Sequence, residues 1–212
     1  MKWNDLDIPW QVCFDLEWES FKKGSVPIGA VITDERGYII SKGRNMIFED
    51  GGSPGDVARH KIAHAELNAI MRVSEFDYPD IRKFTIYSTF EPCPMCFGAI
   101  VMANIRNIRF AARDRLAGGT ILNGATDYIR SKNISITGPF EKMEEVQIAL
   151  HTAFEVMRNP NYERPLNAWK LDCPAGVETG MRLAQDGVIK DMIDGDKTAS
   201  DVFDLVSDYL GG

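Results

Sequence analysis

The stretch Pro92-Cys93-Pro94-Met95-Cys96 constrains this chain more than any other. Proline directly after the first cysteine marks a helix start, because the N–H it lacks has no intrahelical partner in a first turn. The two thiols then stand one turn apart. Both reach one point near the helix N-terminus, where backbone N–H groups favour thiolate over thiol. Upstream, His64-Ala65-Glu66 opens a second segment with an apolar face made by Leu67, Ile70, Met71 and Val73. With His64 as third ligand, Cys93 and Cys96 can hold one zinc ion and leave a coordination position for water. Glu66, two residues on, can move protons to and from that water. A Cys-x-x-Cys by itself also fits half of a closed structural zinc site, or a redox pair. The structural site needs a second Cys or Cys/His pair, whereas Cys13 and Cys173 stand alone. The redox pair has no use for His64 and Glu66. His60 is a rival ligand that reads as a loop or helix-start residue, and His151 reads as structural.

Around that stretch, helical and extended segments alternate. Trp10, Phe14, Trp18 and Phe21 form an apolar stripe at three- to four-residue spacing, which predicts a helix over about 5–23. Segments 26–33 and 38–41 form a hairpin around Asp34-Glu35-Arg36-Gly37. In it, Gly29 allows a close backbone approach. A helix is expected over about 63–73, a strand over 83–89, the helix after Cys93, a strand over 107–112, a helical crossover over 120–130, a strand over 134–137 and a helix over 140–157. This order predicts an α/β fold of three layers, α/β/α, with a five-stranded mixed sheet. Asn159-Pro160 and Arg164-Pro165 suggest a boundary between a catalytic domain, residues 1–160, and a C-terminal extension, residues 161–212. The extension is expected to be helical near 175–184 and 199–210. At 52 residues it is short for an independent core, so it should pack on the first domain or on a partner subunit.

Apolar residues make up 44% of the 212, enough for a sizeable core. No apolar run approaches the roughly 18 residues of a membrane span. The first residues, Met1-Lys2-Trp3-Asn4-Asp5, do not resemble a secretory leader. With four cysteines in no disulfide-like framework, the expected compartment is the cytoplasm. The net charge is −7, of which −2 falls in residues 1–160 and −5 in the extension. That balance disfavours a polynucleotide partner, although Arg106, Arg109, Arg113 and Arg115 form a local basic group.

His64-Ala65-Glu66 followed by Pro92-Cys93-Pro94-Met95-Cys96 resembles the zinc-dependent cytidine/deoxycytidylate deaminase superfamily, in particular its nucleobase and tRNA-adenosine branch. The resemblance runs over about residues 5–158, with Pro27-Ile28-Gly29-Ala30-Val31 similar to the family's first strand. It implies zinc held by His64, Cys93 and Cys96, proton transfer by Glu66, and release of ammonia as an exocyclic amine becomes a carbonyl. It further implies base contacts from Asn45 and from the backbone of Ala65, parallel pairing of the last two strands, and a homodimer. The 46–62 stretch is longer than in compact members of the family, and the extension has no counterpart there. On charge, the expected substrate is a free nucleobase or nucleoside of the guanine, cytosine, adenosine or cytidine type. The alternative is adenosine-34 of tRNA. A deoxynucleotide would call for a phosphate cradle, which no Gly-rich stretch supplies, and a non-catalytic zinc scaffold would have no use for Glu66.

Overall fold

The computed structural model describes residues 1–159 and 161–211. Helix α1 (Ile8–Lys22) precedes the hairpin β1 (Gly29–Thr33) and β2 (Ile39–Arg44). Then come α2 (Ala65–Ile70), β3 (Thr85–Phe90), α3 (Pro94–Met102), β4 (Asn107–Ala112), α4 (Asp127–Ser131), β5 (Ser135–Thr137) and α5 (Glu141–Arg158). The sheet order is β2-β1-β3-β4-β5. Strand β1 is antiparallel to both β2 and β3, and β3, β4 and β5 run parallel. This is the expected five-stranded mixed sheet, with the parallel pairing at its far edge.

Alternation along the strands assigns the layers. Ala30 and Ile32 face a core shared with Ala65, Ala69, Phe97 and Ile100 of α2 and α3. Val31, between them, faces Trp10, Phe14, Trp18 and Phe21 of α1 and Val146 and Leu150 of α5. The aromatic stripe is therefore core, as its spacing predicts. Two glycines bring helices unusually close to the sheet. A Cβ on Gly29 would lie 2.0 Å from the Cys13 carbonyl oxygen of α1, and one on Gly43 would lie 2.2 Å from that of Ala65 in α2.

Three local expectations change. The 63–73 helix shortens to α2, because His64 is extended (φ −80°, ψ 154°) and acts as its N-cap. The 120–130 crossover is broken into a 3₁₀ turn at Thr120–Leu122 and the five-residue α4. The break falls at Gly124, whose φ of 92° no helix accommodates. Among its described residues the extension holds four helices where two were expected: α6 (Glu163–Trp169), α7 (Pro174–Gln185), α8 (Val188–Asp194) and α9 (Ala199–Gly211). Pro165 does not stop the chain here. It sits in the first turn of α6, where no N–H is required. Helix α7 packs along α5, and α9 packs on α1, α5 and α7. Among the described residues no helix is long and apolar enough to cross a membrane.

Glu17 of α1 is wholly buried. The Thr89 hydroxyl faces it, yet neither carboxylate oxygen completes a hydrogen bond. Burial pushes its pKa well above the usual carboxylate range. The folded chain thus keeps this proton at pH values where the unfolded chain has lost it. Stability falls by up to about 1.4 kcal/mol for each pH unit above about 4.3, until the folded carboxyl itself ionises. Glu17→Gln removes that dependence. The Tm advantage of the variant over the parent should grow between about pH 5 and pH 8, and a difference that stays constant over the range contradicts the assignment.

Candidate metal centre

Two helix N-termini meet on the α2/α3 side of the sheet. His64 caps α2, and Cys93 (φ −66°, ψ 169°) caps α3 with Pro94 as the first helical residue. Neither cap side chain bonds an N–H of its own helix, so both remain available as ligands. The His64 Nδ1 lies 3.6 Å from the Cys93 Sγ and 3.5 Å from the Cys96 Sγ. All three donor atoms fall within 4.8 Å of one another. Zinc bonds of about 2.1 Å to nitrogen and 2.3 Å to sulfur at tetrahedral angles call for an N···S separation of about 3.6 Å. The donor set therefore fits a zinc ion in both chemistry and spacing.

Without a metal, the electrostatics favour thiolate at one of the two sulfurs. The Cys93 thiol is lowered to about 4, first by the hydrogen bond from Cys96 and then by His64. Its partner Cys96 is pushed far upward by the same bond and by burial. The pair thus holds one proton, on Cys96. Burial pulls the His64 pKa down, but the Cys93 thiolate and the Glu66 charge more than offset it and the net shift is upward.

Glu66 stands beside these donors and is 3% exposed. Its Oε1 accepts from the Ser88 hydroxyl at 3.1 Å, and its Oε2 accepts from the Cys96 Sγ at 3.4 Å. Burial raises its pKa, against the opposing pull of His64. A carboxyl in this state can carry a proton and give it up again. Ala65 is buried at the start of α2, and the close approach at Gly43 brings the end of β2 beside it. Asn45 follows β2, 1% exposed, with its Oδ1 accepting from the Ile47 N–H at 3.1 Å. Asn68 of α2 ties this region together by donating to the carbonyls of Arg44 and Val57.

The rival residues are used elsewhere. His60 is exposed, and its Nδ1 accepts from the Ile62 N–H at 3.2 Å. His151 is buried against the rings of Phe90 and Trp169, and burial lowers its pKa to about 3. The arginine group is occupied internally. Arg106 bonds the Lys132 carbonyl, Arg109 stacks on Tyr87 and Phe140, and Arg113 and Arg115 face Asp172. A surface groove of about 690 Å³ runs along β2 and takes in none of the metal donors. Of its cations, Lys23, Arg44 and Arg72 are paired with Glu19, Glu49 and Asp56, while Lys42 is exposed. Donor chemistry rather than volume therefore locates the site.

Two residues of the site escaped sequence reasoning. Ser88 anchors Glu66 from a core-facing strand position, where a polar side chain was the available signal. Glu91, 8% exposed, accepts from the N–H of Asp114 and from the N–H and hydroxyl of Thr120. It gathers the loop after β4 around the metal turn.

Comparison with known proteins agrees with this geometry. Residues 9–112 match the family described as the cytidine and deoxycytidylate deaminase zinc-binding region. A tRNA-specific adenosine deaminase of Aquifex aeolicus is 31% identical over 141 residues, 66% of this chain and 87% of that protein. A tRNA(Ile)-lysidine synthase of Deinococcus radiodurans is 34% identical over 115 residues, 54% of this chain, but the chain spans only 18% of its length. A guanine deaminase from Nitrosomonas europaea shares the fold, with a TM-score of 0.52 at 20% identity, over 70% of this chain and 83% of that one. With its His/Cys/Cys donor group set beside a buried glutamate, the chain belongs to the zinc-dependent cytidine and deoxycytidylate deaminase family.

Proposed function

We propose that this deaminase removes the exocyclic amine of an unpaired adenosine in tRNA, the wobble position included, leaving inosine and ammonia. The observation that carries the substrate class is the likeness to a tRNA-specific adenosine deaminase over 87% of that relative's length. It reverses the order expected from net charge, which put a free base first. Local charge supports the reversal. Arg59, His60 and Lys61 are exposed and lead directly into the ligand His64. Arg59 pairs only with exposed Asp50, a contact worth little. Phe48, 44% exposed, carries the Arg158 guanidinium over its ring. A basic rim with an aromatic–arginine stack suits a phosphate backbone and splayed bases. A free purine is the second reading, favoured by the net charge of −7.

On this reading His64, Cys93 and Cys96 hold zinc, which supplies the Lewis acidity that lets water ionise near neutrality. Glu66 would take one water proton at Oε2 and pass it to a ring nitrogen of the base, then carry the second, from the hydroxyl added to the ring carbon, to the departing amine. Ser88 anchors Oε1, and Oε2, which lies 3.4 Å from the Cys96 Sγ, is the oxygen on the side of the metal donors. Asn45 and the Ala65 backbone orient the base edge. One water enters and one ammonia leaves. The active unit on this reading is a homodimer, in which a second copy covers the exposed side chains of Met102, Ile121 and Tyr128; a monomer at micromolar concentration refutes it. The compartment is cytoplasmic, consistent with four free cysteines.

Purified protein should contain about one zinc per chain, and Cys93→Ser or Cys96→Ser should lose it, since the site has three protein ligands. Glu66→Ala should keep the metal while ammonia release falls by about 10²- to 10⁴-fold, the usual contribution of a positioned proton carrier. Turnover unchanged in Glu66→Ala removes that role. An ammonia-release panel over bases, nucleosides and tRNA decides the substrate. Inosine should form in tRNA, and Arg59→Glu with Lys61→Glu should raise KM for tRNA. The same double variant should flatten the slope of log KM against log salt by about one for each phosphate that it no longer neutralises. Release from free guanine or adenosine but none from tRNA overturns the proposal.

A further inference from the structure

We infer that the C-terminal extension is a positioning element of the metal centre: Trp169 and Asp172 fix the loop after β4, and that loop fixes the turn bearing Cys93. The inference rests on reading His64, Cys93 and Cys96 as the zinc group.

The path runs through named contacts. Trp169, at the end of α6, is 4% exposed and packs edge-on against Phe90, with ring centroids 5.8 Å apart. It also lies 4.6 Å from the His151 ring. Phe90 is the last residue of β3, three positions before Cys93. The Trp169 indole N–H donates to the Asp114 Oδ1 at 3.3 Å. Asp172, three residues beyond Trp169, receives Arg115 in a two-point contact, 2.7 Å at each oxygen, with Arg113 at 3.7 Å. Both ends of the 113–115 segment are thus held by the extension.

From there the loop closes on the metal turn. The Asp114 N–H donates to the Glu91 Oε2 at 3.1 Å, and the Thr120 N–H donates to the Oε1 at 3.2 Å. The Gly118 N–H returns to the Asp114 carbonyl at 2.7 Å. The Gly119 N–H donates to the Pro92 carbonyl at 2.8 Å. A Cβ on Gly119 would lie 2.6 Å from the carbonyl carbon of Cys93, so the loop lies directly against the ligand backbone. A carboxylate that accepts from three donors of one loop, next to the metal turn, transmits the position of that loop to Cys93. Buried hydrogen bonds to a charged acceptor are among the stronger ones.

A surface ion pair by itself contributes little to stability. What the Trp169 and Asp172 contacts supply to the site is orientation, so their loss should appear in the site before it appears in the global fold. Substituting a direct partner of a metal ligand typically costs about 10- to 100-fold in metal affinity or activity. Residues one step further out should cost about 3- to 10-fold.

The test uses the zinc-loaded, full-length chain. Trp169→Phe keeps the ring stack and deletes the N–H donor, and Asp172→Asn keeps the shape and deletes the charge. Three quantities are measured: zinc loss to a chromophoric chelator, amide hydrogen exchange of residues 114–120, and Tm. Zinc loss should quicken by about 3- to 10-fold in the double variant, and exchange at Gly118 and Gly119 should quicken with it, while Tm moves by no more than a few degrees. Arg115→Gln should reproduce Asp172→Asn, and the two together should not add. Release and exchange equal to the parent's in a folded Asp172→Asn chain, the variant least able to disturb folding, overturn the inference and leave the zinc reading standing. No zinc in the parent chain overturns both.

Discussion

The structure depends on the meeting of two helix N-termini at one place on a sheet. Each helix start brings backbone N–H groups without intrahelical partners, and with them partial positive charge. Here α2 and α3 present His64 and Cys93 as caps whose donor atoms meet that of Cys96 in one group. The hydrogen bond from Cys96, and after it His64, make Cys93 ionise readily, and the partial positive charge of the helix starts favours thiolate in the same sense. The sheet then needs Gly43, because a side chain there would collide with the first turn of α2. Strand β3 needs Ser88, because Glu66 descends from that turn into a buried place and requires a donor. Much of the α2/α3 side of the protein follows from keeping these two helix starts within bonding distance of one ion.

The opposite side answers a different problem. Helix α5 packs one face on the sheet, and its other face would meet solvent without the extension. Helices α7 and α9 cover it. The acidic balance of the extension, −5 of the total −7, lies on these covering helices and the turns between them. Net charge is therefore a poor guide to what the mouth of the site binds. The rim residues Arg59, His60 and Lys61 belong to the 46–62 stretch, remote in sequence from the acidic helices.

Much of this was legible in the sequence, for physical reasons that differ by residue. The metal donors could be read because a ligand set demands particular residue types at particular spacing, and proline after Cys93 marked where the helix begins. The stripe from Trp10 to Phe21 and the five strands could be read because burial imposes a period. The positions that were missed are fixed by contacts across long stretches of chain. Glu91 showed in the sequence only as an acidic residue before Pro92, whereas its place is set by Asp114 and Thr120, more than twenty residues later. Trp169 lies between the boundary read at Arg164-Pro165 and the helix expected near 175, because Arg164-Pro165 marks a boundary and the first turn of a helix equally well. Arg113 and Arg115 looked like a free basic cluster because their partner, Asp172, lies in the extension. The substrate ranking rested on summed charges, whose places in the fold a sequence does not display.

The central claim is an open metal centre with three protein ligands, and zinc K-edge X-ray absorption of the metal-loaded chain tests it most directly. The account predicts two sulfur scatterers at about 2.3 Å and two nitrogen or oxygen scatterers at about 2.0–2.1 Å. One of the lighter scatterers should be exchangeable, so that a small anionic or azole ligand alters the spectrum without removing the metal. A shell of three or four sulfurs, or a spectrum indifferent to added ligand, would mean a closed structural site and contradict the account.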